Sequence, residues 1–215
     1  MDLSKDNKVV CLHGWESMIP DIKKSRDKRL TLSEFKSRKI NKKKGNYTTL
    51  IFEDIIRLMR DYPDIWIITD SKYPDSYSTK IEFKEINKLI MQHNATDILD
   101  RFVVQIYNSN MYYTIEEIMH VKHYIFTMYM IWWNSGREKG FENHCKFSKK
   151  VGIKYITVHV SYVSENVINI ANKYDIKLYV HTVNDVKVAN NFIKMGIYGI
   201  YTDDLIESDL DFNLN

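Results

Sequence analysis

The chain has 215 residues, 44% of them hydrophobic and 13% aromatic, enough for one domain with a real core and at most a small appendage. With 27% charged residues and only two cysteines, it is not a disordered chain, a collagen-like repeat or a disulfide scaffold. The net charge of +3 divides unevenly, residues 21–44 carrying +8 and the remainder −5. A basic segment on an otherwise acidic chain suits a polyanionic or phosphate-bearing partner, or else is a solvated surface excursion.

The longest apolar run, Tyr124–Trp133, falls far short of the roughly 18 residues that a membrane span needs. The first ten residues show no secretory signal. Cys11 and Cys145 lie apart, with no CxxC or His/Cys cluster, and are expected as reduced thiols in a reducing, cytoplasmic setting.

In chain order, short apolar runs at Lys8–His13, Ile65–Asp70, Phe102–Ile106, Ile125–Tyr129, Tyr155–His159, Lys177–His181 and Tyr198–Thr202 read as strands. Most are continuous Ile, Val and aromatic runs rather than alternating ones, which argues for strands covered on both faces, as in a parallel sheet. Amphipathic patterns at Thr48–Asp61, Ser78–Gln92, Ser164–Tyr174 and Asn184–Met195 read as helices, with Thr48 or Thr49 capping the first and Gly196 stopping the last. From residue 65 onward the strand starts fall about 20 to 40 residues apart, the pitch of a (β/α)8 barrel of about 250 residues. The expectation is α/β: a single TIM-type barrel domain over residues 1–215, with 21–47 as a basic insertion. An open doubly wound sheet is compatible with the same order, but no strand is followed by GxGxxG, so a nucleotide-binding Rossmann reading is poor.

Polar residues gather at the strand ends: Asp70 with Lys72, Gln105 with Asn108, His159, His181 with Thr182 and Asn184, and Thr202 with Asp203. A barrel builds its active site on that rim. His13 ends an apolar run and can serve there as an acid–base group or simply as a hydrogen-bonded rim histidine. Asp70 in Asp-Ser-Lys, directly after an apolar run, sits at a strand end and can be the start of a turn that bonds its own backbone. His181, Thr182 and Asn184 can line the same mouth, His181 for packing or substrate contact rather than as a ligand or acid; Trp132, Trp133 and Tyr129 can be core or rim packing or a ligand wall. His93, His120, His123 and His144 lack metal-ligand spacing and read as surface.

KVVCLHGW at 8–15, TTLIFEDIIRLMRDYPDIWIITDSK at 48–72, FVVQIY at 102–107, HTVN at 181–184 and GIYTD at 199–203 stand in an order and spacing that resembles the glycerophosphodiester phosphodiesterases. These are TIM-barrel enzymes that hydrolyse glycerol phosphodiesters with a divalent metal. The likeness runs from about residue 2 to residue 206. It places His13 on the His of a His-Asp motif and Asp70 and Lys72 on a Glu-x-Lys motif. Asp2 falls near the Asp of a Glu-x-Asp motif. The resemblance thus implies His13 as catalytic acid–base, Asp70 and Asp2 as ligands of Mg2+ or Ca2+, and Lys72 as a phosphate-facing cation, with His181 and Asn184 near the substrate.

The departures are specific. Gly14 stands where the family has Asp, Asp70 where Glu is usual, and His181 where an aromatic is frequent; the opening His-Arg-Gly motif and the Glu of Glu-x-Asp have no counterpart. The resemblance therefore implies an N-terminally truncated barrel lacking one or two strands, weak or inactive as a hydrolase and prone to dimerise through open edges. The alternative is a non-catalytic barrel acting as a binding or scaffold protein. The expected partner is a glycerophosphodiester or another phospholipid-derived small molecule. With few aromatics beside the basic segment, nucleic acid is not expected.

Overall fold

In a computed structural model of the chain, the described residues are 1–15, 29–42, 45–71, 73–128 and 137–211. They fall into two units, Met1–His123 and Tyr124–Asn215.

The first unit opens with β1 (Asp2–Leu3) and β2 (Val9–Cys11), an antiparallel pair turned through Asn7 at φ +58°. The short helix α1 (Leu32–Lys36) follows, closed by a reciprocal cap between Thr31 and Glu34. A hairpin pairs β3 (Lys39–Lys42) with β4 (Gly45–Thr48), and β5 (Leu50–Ile51) returns to pair antiparallel with β2. Phe35 of α1 is buried with Val10, Leu12, Trp15 and Ile51, and Leu30 and Leu32 pack against this group. The basic segment thus contributes to a core rather than standing wholly in solvent. Its residues 21–28 and 43–44 lie outside the described residues.

The helix expected over 48–61 is shorter. As α2 (Phe52–Asp61) it starts after β5, because Leu50 and Ile51 are taken by the sheet. Asp54 accepts the Ile51 N–H at 2.9 Å, and Phe52, Ile56 and Met59 form its buried stripe. β6 is only Ile67–Ile68, and α3 (Ser76–Gln92) begins on an Asp75 cap that accepts the Ser78 N–H at 2.9 Å. β7 (Phe102–Ile106) runs parallel to β6, and Asn108 caps α4 (Ser109–Glu116), a helix whose buried residues Met111 and Ile115 sit four apart. The strand expected at 8–13 is therefore β2 of an antiparallel sheet, outside the parallel set.

The second unit takes up β8 (His123–Thr127) from its second residue, followed by α5 (Arg137–Val151), β9 (Tyr155–His159), α6 (Glu165–Lys173), β10 (Lys177–His181), α7 (Val186–Lys194) and β11 (Gly199–Ile200). Its four strands pair in chain order, all parallel. Ile156, Val158, Leu178 and Val180 are buried on one sheet face. Alternation puts Tyr155, Thr157 and His159 with Tyr179 and His181 on the other. Helix α5 was not expected; its buried residues Phe141, Cys145 and Ser148 follow a spacing of four and three. His144 on this helix is not a surface group. Its ring stands edge-on to Phe126 at 4.8 Å, and burial holds its pKa below the ordinary value. Both cysteines are free, Cys145 buried and Cys11 partly so.

Candidate active site

In the first unit three carboxyl groups come into one electrostatic neighbourhood. Asp2, in β1, is buried, and its Oδ1 accepts the Leu3 N–H at 2.7 Å. Burial lifts its pKa, opposed by that hydrogen bond. Asp70 follows β6; its Oδ1 accepts the Tyr107 hydroxyl, with Gln105 Nε2 at 3.4 Å, while its carbonyl accepts the Met1 amino group. Gln105 also donates to the Tyr107 oxygen at 3.1 Å, so Gln105 of β7 and Tyr107 just past its end form a paired clamp on the Asp70 side chain.

The third carboxyl is Glu82, inside α3 and 3% exposed. Ser71 donates to its Oε1 at 3.0 Å. Burial pushes its pKa up to about 7, with Asp2 and Asp70 adding repulsion and the Met1 amine and Ser71 opposing. The sequence reading missed Glu82, although a carboxyl spaced four and seven residues before Ile86 and Leu89 on a buried stripe was the available signal. Arg29, seen before only as part of the basic segment, lies within electrostatic reach of Asp2 and of Tyr73. His13 is exposed just past β2. Lys72 lies outside the described residues, as do Tyr129, Trp132 and Trp133.

In the second unit His181 ends β10, 3% exposed, with Thr157 Oγ1 at 3.1 Å from its Nδ1. Burial, then the neighbouring His159, pushes its pKa down to about 4, so the ring is neutral near pH 7. Asn184 is exposed, but its amide is engaged: Oδ1 accepts from Thr202 Oγ1 at 3.0 Å and from the Asp203 N–H at 2.9 Å, and Nδ2 donates to Asp203 Oδ2 at 3.3 Å. Thr202 and Asp203 thus fasten the turn after β11 to the end of β10, and the Thr202 hydroxyl also accepts the Leu205 N–H at 3.0 Å.

The family model for the glycerophosphoryl diester phosphodiesterase family matches residues 1–207. The chain belongs to this family. Its structure is similar to a glycerophosphodiester phosphodiesterase of Parabacteroides distasonis, with a TM-score of 0.70 at 15% identity over 97% of this chain and 79% of that one. It is similar as well to an Oleispira antarctica phosphodiesterase solved with the product sn-glycerol-3-phosphate, with a TM-score of 0.70 at 12% identity over 99% and 80% of the two chains. The glycerophosphodiester phosphodiesterase of Thermotoga maritima gives 0.61 at 16% identity over 94% and 80%. No curated protein matches the chain.

The fold of this glycerophosphoryl diester phosphodiesterase family member is therefore a TIM-type barrel, incomplete among the described residues, where six parallel strands alternate with helices. Family members generally depend on a divalent metal. Among the described residues here, no group of three or more His, Cys, Asp or Glu side chains is placed to hold an ion. The Oδ1 atoms of Asp2 and Asp70 already accept protein hydrogen bonds, and Glu82 sits where burial favours its protonated form. As placed, this set does not fit a divalent cation. No described helix is long and apolar enough to cross a membrane.

Proposed function

We propose that this chain is a glycerophosphodiester hydrolase whose turnover is impaired, acting as one barrel domain over residues 1–215 with 21–47 as a basic insertion. The observation that carries the reading is the carboxyl neighbourhood of Asp2, Asp70 and Glu82 beside β6, in a chain that matches the family over nearly its whole length. His13, exposed at the end of β2, is the acid–base group of the proposal; an imidazole near neutral pH can both take and give a proton. Lys72 is the proposed phosphate-facing cation, with His181 and Asn184 as substrate-side residues of the second unit.

Impairment follows from what the carboxyls do now. Asp2 and Asp70 are the residues that Mg2+ or Ca2+ would have to recruit, and each has an oxygen held by protein donors. The non-catalytic alternative gains support from Asn184, whose amide is spent on its own turn. The free thiols suit a reducing, cytoplasmic setting. A dimer through sheet edges belongs to the same reading and is checked by light scattering of the purified chain.

The test is hydrolysis of glycerophosphocholine by the full chain, followed by phosphorus NMR with Mg2+, with Ca2+ and with a chelator, beside a binding titration with sn-glycerol 3-phosphate. The expected result is measurable binding with slow turnover. Fast, chelator-sensitive turnover would overturn the impairment, and absence of both binding and turnover would overturn the glycerophosphodiester reading.

A further inference from the structure

His159 at the carboxyl end of β9 is exposed, yet its ring is fixed. The Ser161 hydroxyl lies 2.8 Å from Nδ1, and the Ser161 backbone N–H donates to the same nitrogen at 3.1 Å. A backbone N–H can only donate, so Nδ1 is the lone-pair side of the ring and the neutral imidazole carries its proton on Nε2. Tyr162 and His181 stand edge-on to the ring at 5.8 and 5.5 Å. His159 and His181 are register partners on neighbouring parallel strands, so both side chains leave the same sheet face at the strand ends, the rim where α/β barrels bind ligands. Behind His159, the buried His181 is held by Thr157 and is uncharged near neutral pH. The pair therefore presents one exposed, oriented N–H donor backed by an uncharged ring.

We propose that His159 is a substrate-contacting residue whose Nε2–H donates to a phosphoryl oxygen of a glycerol phosphate ester, with Ser161 as the positioning residue that sets its tautomer. The inference rests on the glycerophosphodiester reading above and adds a donor that the family resemblance did not point to. A rigid, oriented donor suits this task, since it gives direction to an anion without a side chain that must first be ordered.

The experiment uses the full chain and sn-glycerol 3-phosphate as probe, read by imidazole nitrogen NMR. The free protein is expected to show His159 as the Nε2–H tautomer, and the probe to shift that Nε2 resonance. His159→Ala weakens binding about tenfold, the scale of one hydrogen bond to a charged group. His159→Gln, which returns an amide N–H near the same place, recovers most of it, and Ser161→Ala weakens binding by a smaller factor. Because His159 is exposed, the melting temperatures of these variants stay close to that of the parent. If the parent binds the probe while the His159 resonances stay still, or while His159→Ala binds equally well, this inference falls and the family reading stands. If the parent binds no probe at all, the glycerophosphodiester reading itself fails and takes the inference with it.

Discussion

Ser71 donates its hydroxyl to Glu82 Oε1 at 3.0 Å where both side chains are all but sealed from water. Ionising Glu82 there costs energy, so its pKa rises from 4.5 to about 7. Between those two values the folded chain holds a proton that the unfolded chain releases, so this group makes stability fall as pH rises through that window. Glu82→Gln keeps an oxygen for Ser71 and removes the titration. The variant is expected to match the parent near pH 4.5 and to exceed it at pH 8 by ~2–3 kcal/mol, read from urea midpoints. Parallel pH profiles for the two proteins would refute the assignment.

His181 works with the opposite sign. Its folded pKa of about 4 lies below the ordinary 6.5, mainly through burial and secondly through His159. The unfolded chain takes up a proton that the folded chain refuses, so stability from this group is complete above pH 6.5 and is lost as pH falls towards 4. Between pH 4.5 and 6.5 the slopes of Glu82 and His181 oppose each other. Glu82→Gln should therefore steepen the loss on the acid side, and His181→Phe should flatten it. An NMR titration of the His181 ring that shows protonation near pH 6.5 would sink this account.

What the sequence revealed and what it hid have physical causes. The runs at 102–106, 155–159 and 177–181 are strands with the expected bounds, because a strand covered on both faces is an uninterrupted apolar segment. Helix α5 escaped notice because its buried stripe is Phe141, Cys145 and Ser148 amid lysines and glutamates, too polar to register as a periodic face. β1 and β5 are two residues each and owe their existence to pairing with β2, a tertiary effect with no local signal. Glu82 was hidden inside a helix pattern, and His159 was seen at a strand end but not as a held ring. The roles of Asp2, Asp70 and His13 came from the family resemblance rather than from local chemistry. Only the fold placed Tyr107 and Gln105 on the Asp70 carboxyl.

Gly199 in β11 is required by a neighbour rather than by its own backbone. A Cβ built there would lie 2.6 Å from Tyr179 Cδ1, inside van der Waals contact. The Tyr179 ring has little room to yield, wedged among Tyr155, Tyr198 and Tyr201 at centroid distances of 5.9, 5.6 and 5.8 Å. Gly199→Ala is expected to cost ~1–3 kcal/mol, a melting temperature lower by roughly 3–10 °C. Adding Tyr179→Leu should recover part of the loss, since residues in contact do not act additively. Equal melting of Gly199→Ala and parent would show that the tyrosine cluster is looser than described.

Arg101 closes the end of α2 and fixes the approach to β6. One guanidinium nitrogen donates to the Met59 carbonyl at 2.7 Å, and the other donates to the carbonyls of Ile65 at 2.9 Å and Tyr62 at 3.2 Å. The last carbonyls of a helix have no partner within it, and a single planar fork satisfies one of them together with two in the loop that follows. A lysine offers only a point charge and cannot span the three, so Arg101→Lys and Arg101→Met should both destabilise the fold by ~1–3 kcal/mol. The loss has a location. The stretch Tyr62–Ile65 leads directly into β6, whose continuation holds the Thr69 N–H on the Val103 carbonyl at 2.9 Å and then presents Asp70. Amide exchange in either variant is therefore expected to quicken at Ile65 to Thr69 before it does so in β9 or β10. Uniform quickening across both units would mean that Arg101 supports global stability alone and does not position the strand that carries Asp70.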